Sequence, residues 1–177
     1  SLRILMLLDD YEKLKSRLEL IMEMIEKLVT KVPYAEKLLQ IKGIGMKTVS
    51  GFIAEVGDIS RFKNAKQLQK LAGLAIVENS SGKHNGKSRI SKRGRKRLRY
   101  LLFEAVLSLT ASNQEFKEIH RYYTSRKDNP LKKMQSLMVL SNKLIRVFYT
   151  MLRSGADYDP EKLISDIRHP EEVLTAA

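Results

Sequence analysis

The stretch that decides the fold reads Leu38-Leu39-Gln40-Ile41-Lys42-Gly43-Ile44-Gly45-Met46-Lys47-Thr48. Two helix-forming segments flank a Gly-Ile-Gly turn, and glycine permits a turn too tight for a residue with a Cβ atom. Ile41 and Ile44 supply apolar contacts around the turn. The sequence therefore predicts two short helices, 35–40 and 46–56, that meet at a corner held by apolar side chains.

This turn resembles a helix-hairpin-helix element, in which backbone N–H groups of the turn face a phosphate. Unpaired N–H groups at a helix N-terminus, with the helix dipole behind them, favour a phosphate oxygen. Lysines beside the turn would add charge without reading sequence. We predict phosphate binding by Lys42, Gly43, Gly45, Lys47 and Thr48. A plain corner, whose glycines serve only steric needs, is the alternative.

Helical patterns continue after this element, and the predicted fold class is all-α. Ser112, with Glu115 three residues later, is a capping-box pattern that predicts a helix through about Arg126. Only 74–77 shows a weak strand pattern, and the polar, glycine-containing stretch 78–94 predicts a long loop or hairpin. The other helices are predicted at 35–40, 46–56, 65–72, 95–111 and 131–153, with a short one from 160.

Before the corner, apolar residues alternate in steps of three and four for about four heptads, until Pro33 ends the pattern. We predict a coiled-coil helix over 1–33, through which the chain forms a homo-oligomer. An amphipathic helix packed on its own domain is the alternative. The helical domain is expected over 34–160, with a tail over 161–177. The seam consists of Ile4, Leu7, Tyr11, Leu14, Leu18, Ile21, Ile25, Leu28 and Val32.

Composition narrows the possible functions. The 177 residues are 43% hydrophobic, and 33 Lys and Arg against 20 Asp and Glu give a net charge of +13, which favours a polyanionic partner such as nucleic acid. The absence of cysteine excludes disulfides, thiolate zinc sites and a cysteine nucleophile, and fits a reducing cytoplasm. The expected location is the cytoplasm, in association with the nucleoid. The chain contains no apolar stretch of about 18 residues, so no membrane span is predicted. Because the chain starts Ser1-Leu2-Arg3 without an initiator Met, we expect a piece of a longer protein.

Positive charge is concentrated in one run that contains no acidic residue. Most charged surfaces mix both signs, so a single-sign run favours a polyanion over an ordinary solvated face. Gly86 and Gly94 would let the segment follow a nucleic-acid backbone. Eight residues of the run are predicted to contact DNA or RNA, and Arg99 ends it; the eight are Lys83, Lys87, Arg89, Lys92, Arg93, Arg95, Lys96 and Arg97.

Two serines, Ser80 and Ser81, directly precede this run. A serine hydroxyl is a weak nucleophile until it is activated, and neighbouring cations can stabilise a phosphoryl transition state. Spacing alone favours an ordinary polar loop at this point. The histidines His84, His120 and His169 show no metal-ligand spacing, so no metal site is predicted in this chain.

Seven segments of the chain resemble those of a known family, and their order makes the resemblance far more specific than any one segment would. The segments are Leu39–Gly45, Ala54–Phe62, Lys66–Leu68, Leu71–Leu74, Asn79–Lys83, Arg89–Gly94 and Leu98–Arg99. Over about 35–160 the chain resembles the C-terminal domain of bacterial insertion-sequence transposases that pair a RuvC-like DEDD domain with a serine-bearing helical module. The predicted coiled coil corresponds to the linker helices between those two domains.

The resemblance implies a DNA recombinase with a composite active site. In that family, carboxylates of the RuvC-like domain bind a divalent metal such as Mg²⁺, and a serine of this module attacks DNA to form a covalent phosphoserine. Some members are guided by a structured RNA. The matching serine, directly before glycine, is Ser81, and Ser80 is the alternative if the register slips by one residue.

This chain departs from the family pattern in two respects. Ile76 stands where many relatives have a proline, and no RuvC-like domain or acidic tetrad is present in these residues. We therefore expect the chain alone to be inactive in strand transfer. The alternative function is a non-catalytic DNA- or RNA-binding and dimerisation scaffold of the transposase.

Overall fold

A computed structural model describes residues 2–77, 80–81, 84–85 and 89–168. Helices dominate these residues, so the predicted all-α class is confirmed. The α-helices are α1 Leu2–Val29, α2 Met46–Val56, α3 Ala65–Ala72, α4 Lys96–Ser112, α5 Gln114–Ser125, α6 Lys133–Ser154 and α7 Pro160–Arg168. Two 3₁₀ helices cover Ala35–Gln40 and Ile59–Arg61.

The described part of the predicted loop or hairpin contains four two-residue strands. They are β1 Ile76–Val77, β2 Ser80–Ser81, β3 His84–Asn85 and β4 Arg89–Ile90. β1 pairs antiparallel with β4, and β2 pairs antiparallel with β3. The segment is therefore a hairpin that leaves the helical domain after α3 and returns before α4.

Most of α1 stands away from the helical domain. Its 28 residues span about 42 Å at 1.5 Å per residue, and Val29 is the one residue of this helix that is buried. Leu14 and Leu18 of the heptad seam are 64% and 60% exposed. Only the C-terminal end of the seam reaches the domain, where Ile25 and Val32 pack against the core.

The core of the domain lies between α2, α4 and α6. Phe52 of α2 and Phe148 of α6 are fully buried and meet edge to face, with ring centroids 4.9 Å apart. Leu102 and Leu109 of α4 are also fully buried. Because full burial of such a side chain contributes about 1.5–3 kcal/mol, these contacts fix α2 on α4 and α6.

A turn at Asn113 joins α4 to α5, and the predicted capping box at Ser112 is wrong. Ser112 is the last residue of α4, and its hydroxyl donates to the Ser108 carbonyl at 2.8 Å. The Asn113 side chain caps α5 instead, because its oxygen accepts from the Phe116 N–H at 3.1 Å. An asparagine cap of this kind stabilises a helix by about 1 kcal/mol.

The far end of α5 lies beside the start of α6. His120 Nδ1 is 2.9 Å from Ser136 Oγ, and the Leu131 N–H donates to the Tyr123 carbonyl at 2.8 Å. The end of α5 and the start of α6 therefore meet, whereas the Gly-Ile-Gly turn lies beside the end of α4.

Candidate nucleic-acid interface

The Gly-Ile-Gly turn connects the first 3₁₀ helix to α2. Gly43 has φ +100°, a conformation that L side chains rarely adopt, and a Cβ at this position would collide with the Ser112 hydroxyl. The turn fits against the C-terminal end of α4 because residue 43 is glycine. Gly45 differs, since its backbone is extended and no atom lies within 4 Å of a Cβ added there.

The carbonyl groups of the turn face the domain. The Ser108 hydroxyl donates to the Gly43 carbonyl at 3.4 Å, and the Asn113 amide donates to the Lys42 carbonyl at 3.3 Å. Gly45 is the N-cap of α2 and supplies no side-chain cap. The first N–H groups of α2 thus lack a side-chain partner, which is the arrangement that favours an anion.

A shallow cleft opens at this turn, between the start of α2 and the middle of α4. Four of the five residues predicted to bind phosphate line the cleft, and Lys42 does not. The lining residues are Gly43, Gly45, Lys47 and Thr48, together with Leu101, Glu104, Ala105 and Ser108 of α4. Lys42 and Lys47 are exposed and Thr48 is half-buried. Glu104 accepts a hydrogen bond from Tyr100, which raises the pKa of the Tyr100 hydroxyl.

Backbone hydrogen bonds hold the centre of the basic run against the end of α3. The N–H groups of Ser91, Lys92 and Arg95 donate to the carbonyls of Ala75, Gly73 and Leu71 at 2.8, 2.9 and 2.7 Å. Gly94 permits this close approach, because it has φ +142° and a Cβ would collide with the Leu71 carbonyl. The backbone that carries these basic side chains is therefore fixed.

The side chains of the basic run differ in how they are paired. Arg89, Lys92, Arg93 and Lys96 are exposed, with no ion pair among the described residues, whereas Lys83 and Lys87 lie outside those residues. Arg95 donates to the carbonyl oxygen of Glu55 and lies 3.7 Å from its carboxylate. Arg97 lies 3.6 Å from the same carboxylate.

Glu55 is a neighbour that the sequence analysis missed, because it is forty residues from Arg95 in the chain. The sequence also gave no role to Arg99, whose guanidinium donates to the carbonyls of Ala72 at 3.0 Å and Lys92 at 3.3 Å. Arg99 therefore anchors the base of the hairpin. The positions without ion pairs, above all Arg93 and Lys96, are the best available contacts for a polyanion.

The two predicted binding regions lie on one side of the α2–α4 pair. Leu101 of α4 lies beside Gly51 of α2, and Arg97 lies beside Glu55, so the two helices run antiparallel. Lys47 and Arg97 line the same groove, which α1 closes with Ile25 and Leu28. The eleven residues of α2 separate the turn from the basic run by about 16 Å.

The predicted nucleophile lies in the hairpin that these basic residues flank. Ser81 is in β2, opposite His84 of β3, and Ser80 is opposite Asn85. Ile76 is in β1 and pairs with Ile90.

The described residues contain no group of three or more His, Asp or Glu side chains that could hold a metal ion. They therefore do not fit the divalent metal that the resemblance assigns to a RuvC-like domain. His120 has a structural neighbour instead, in Ser136. Its partial burial lowers the pKa of the His120 imidazole, and the positive charge of Lys133 adds to the effect.

Comparison with known proteins matches the region that contains the turn and the basic run to a described family. The family described as Transposase IS116/IS110/IS902 matches residues 35–123, from the first 3₁₀ helix to the end of α5. The chain belongs to the IS116/IS110/IS902 transposase family. Its matched region includes the turn, the hairpin and the whole basic run.

Individual proteins of IS elements give the same result. The chain is 31% identical, over 77% of its length, to an uncharacterized 42 kDa protein of insertion element IS900 from Mycobacterium paratuberculosis. It is 30% identical, over 71% of its length, to an uncharacterized 44.8 kDa protein of IS116 from Streptomyces clavuligerus. A probable family 20 transposase from Pseudomonas aeruginosa is 25% identical over 86% of the chain. The chain spans 34%, 31% and 45% of these relatives.

Among the described residues, no helix is both long enough and apolar enough to cross a bilayer. α1 has the length but carries charged residues throughout, including Asp9, Asp10 and Glu12.

Proposed function

We propose that this chain is the part of a DNA transposase that holds the phosphate backbone of its substrate along the α2–α4 groove. The observation that carries the proposal is that Lys47 and Arg97, predicted from separate parts of the chain, line one groove, and that Arg93 and Lys96, which form no ion pair among the described residues, are close to Arg97 in the chain. Phosphates bound at the turn and at the basic run would be about 16 Å apart. Such contacts position a nucleic acid without reading its bases. DNA is the primary ligand, and a structured guide RNA would bind by the same chemistry.

We propose further that Ser81 is the nucleophile of strand cleavage. Attack of its hydroxyl oxygen on a phosphorus atom would form a phosphoserine and release a DNA 3′- or 5′-hydroxyl, which takes up a proton. The reverse attack by a DNA hydroxyl would rejoin the strand and free the serine, so that no phosphodiester energy is lost. Family membership and the position of the hairpin beside Arg89 and Lys92 support this role. Mg²⁺ chemistry would come from a RuvC-like domain.

The exposed seam of α1 supports self-association through a coiled coil. Over most of the helix its apolar residues find no partner among the described residues, although heptads of this regularity pack against a second helix. Two chains joined through α1 would present two α2–α4 grooves. Such a pair suits a reaction that brings two DNA sites together.

Binding across a salt series tests the nucleic-acid proposal. The logarithm of affinity for duplex DNA should fall with the logarithm of salt concentration by about 0.9 for each phosphate contact. Replacing Arg93 and Lys96 by glutamine should lower the slope by about 2. A matched control replaces Lys31 and Lys162, which are exposed on other parts of the chain. Equal loss in both variants would show that net charge alone drives binding.

Gly45 offers a second test, specific to the turn. Aspartate at this position would cap α2 and favour its dipole, but would place a negative charge where the phosphate is proposed to lie. Gly45→Asp should therefore weaken DNA binding while the free energy of unfolding is unchanged or higher. Gly45→Asn supplies the same cap without the charge and should lose less affinity. If Gly45→Asp binds DNA with full affinity, the turn has only a structural role.

The catalytic role of Ser81 is tested by Ser81→Ala in a transposase that carries this chain together with a RuvC-like domain. Recombination and the covalent protein–DNA adduct should be lost, while DNA affinity is unchanged. Ser80→Ala is the matched control and should stay active. Loss of activity in Ser80→Ala instead would assign the nucleophile to Ser80, and activity in both variants, with normal DNA binding, would leave the chain as a non-catalytic scaffold.

A further inference from the structure

A second concentration of positive charge lies outside the predicted run, where α5 ends and α6 begins. From Ile119 to Ala156 the chain has eight basic residues and a single acidic residue, Asp128. Five of the eight belong to the connection between the two helices and its flanking turns. We define these five as the α5–α6 corner: Arg121, Arg126, Lys127, Lys132 and Lys133.

The corner side chains are not consumed by ion pairs within the fold. Arg121, Lys127, Lys132 and Lys133 are exposed, and no acidic side chain of the described residues forms an ion pair with them. This differs from Arg95 and Arg97 of the first run, which share Glu55. A largely exposed cluster of five cations that contains one carboxylate, that of Asp128, keeps a net positive charge and raises the local concentration of a polyanion.

The backbone that carries these cations is well defined. The guanidinium of Arg126 donates to the Asn129 carbonyl at 3.0 Å and lies over the Tyr123 ring, 5.4 Å from its centroid. The Lys132 N–H donates to the Gln135 side chain at 2.9 Å, which fixes the entry into α6. The corner is therefore a preformed surface, and a ligand would not have to order the connection on binding.

Two of the cations occupy a position that opposes helix stability. Lys132 is the N-cap of α6 and Lys133 its first residue, and the first turn contains no acidic residue. The N-terminus of a helix carries partial positive charge, so cations there are unfavourable. A pair of lysines at this point does not serve the stability of α6, but it does serve the capture of an anion, to which the free N–H groups of the helix would also be directed.

The corner is separate from the α2–α4 groove. α4 packs against both α2 and α5, and no corner residue lines the groove. We propose that the α5–α6 corner binds the phosphodiester backbone of a second nucleic-acid segment, in addition to the segment in the groove. The chain then holds two segments at once, one on each surface.

The number of nucleic-acid segments bound per chain tests this proposal. Dimerisation through α1 would also bring two segments together, but each chain would then hold only one. A short DNA duplex, and in a parallel arm a short RNA hairpin, is titrated into the chain at low salt, and the complex is analysed by sedimentation. Two segments per chain are expected for at least one of these nucleic acids. The arm that gives two identifies whether DNA or RNA occupies the corner.

The corner variant replaces Arg121, Lys127, Lys132 and Lys133 by glutamine. It should bind one segment per chain, with at least tenfold weaker affinity for the second, and its melting temperature should be unchanged or higher because two cations leave a helix N-terminus. The variant Arg93→Gln with Lys96→Gln should instead weaken the segment in the groove. Failure of the groove proposal would therefore appear in the second variant and leave the corner result intact.

Three results would overturn the proposal. One segment per chain in both arms would mean that the corner does not hold a segment of its own. Equal loss per charge removed in the corner variant, which loses four charges, and in the Lys31→Gln with Lys162→Gln control, which loses two, would reduce the corner to net charge. Binding to vesicles of anionic phospholipid that is lost in the corner variant, without any change in segment stoichiometry, would assign the corner to a membrane surface.

Discussion

α1 and α6 are the longest helices of the described residues, and they place their apolar residues differently. α6 has 22 residues and buries ten of them, because α3, α4 and α5 surround it. α1 has 28 residues and buries only Val29, because α2 is its one substantial neighbour within the described part of the chain. Both helices carry apolar residues at helical spacing. The periodicity thus shows that each helix needs a partner, and the rest of the fold decides whether that partner lies in the same chain.

The difference has an energetic consequence for assembly. Burial of a leucine or isoleucine contributes about 1.5–3 kcal/mol, and α6 already receives this contribution within the domain. In α1 the same contribution is still available to a second helix. The seam is therefore a source of association energy, whereas the equivalent residues of α6 are a source of folding energy.

The largest effect is expected from a matched pair of truncations, one in each helix. Phe148→Ala removes a fully buried ring that meets Phe52, and it should lower the free energy of unfolding by about 3–5 kcal/mol. Leu18→Ala removes a 60% exposed side chain, and it should change that free energy by less than about 0.5 kcal/mol in the monomer. Urea unfolding at low protein concentration measures both. Similar losses would mean that α1 packs on its own domain.

The next effect should appear only in self-association. Leu14→Asp combined with Leu18→Asp places carboxylates in the seam, and the resulting cost of at least about 3 kcal/mol should weaken dimerisation a hundredfold or more. Leu20→Asp is the matched control, because Leu20 is 58% exposed but lies off the seam. Sedimentation equilibrium measures the dissociation constants. If Leu20→Asp is as disruptive as the seam variant, the interface is not the predicted heptad face.

Sequence reasoning succeeded where a feature depends on neighbours along the chain. The all-α class follows from periodicity, and the Gly-Ile-Gly turn before α2 follows from glycine conformation, because both effects act within a few residues. Gly43 is a clear case, since its φ of +100° is the reason for its presence in the turn.

The rest could not be predicted because it depends on distant parts of the chain. Ser112 and Asn113 both have capping side chains, and only the packing of α4 shows that Ser112 stays in its own helix while Asn113 caps α5. Arg95 and Arg97 looked equivalent to Arg93 until the fold placed Glu55 beside them. Sequence reasoning missed the α5–α6 corner because its five cations are spread over thirteen residues. They form one surface only because the fold brings the end of α5 and the start of α6 together.

The smallest predicted effect concerns pH and the contact that joins α5 to α6. Partial burial and Lys133 hold the pKa of His120 below its usual value of 6.5. Between the lowered pKa and 6.5 the unfolded chain binds a proton that the folded chain does not, so stability increases with pH in that range. The stabilisation is complete above about pH 7 and is lost as pH falls through 6.5 towards the folded-state pKa.

Urea midpoints at pH 7.5 and 5.5 should therefore differ less in His120→Gln than in the parent chain. Lys133→Gln should reduce the difference in part, because it removes the nearby charge but leaves the burial. An unchanged difference in His120→Gln would assign the pH dependence to titratable groups other than His120.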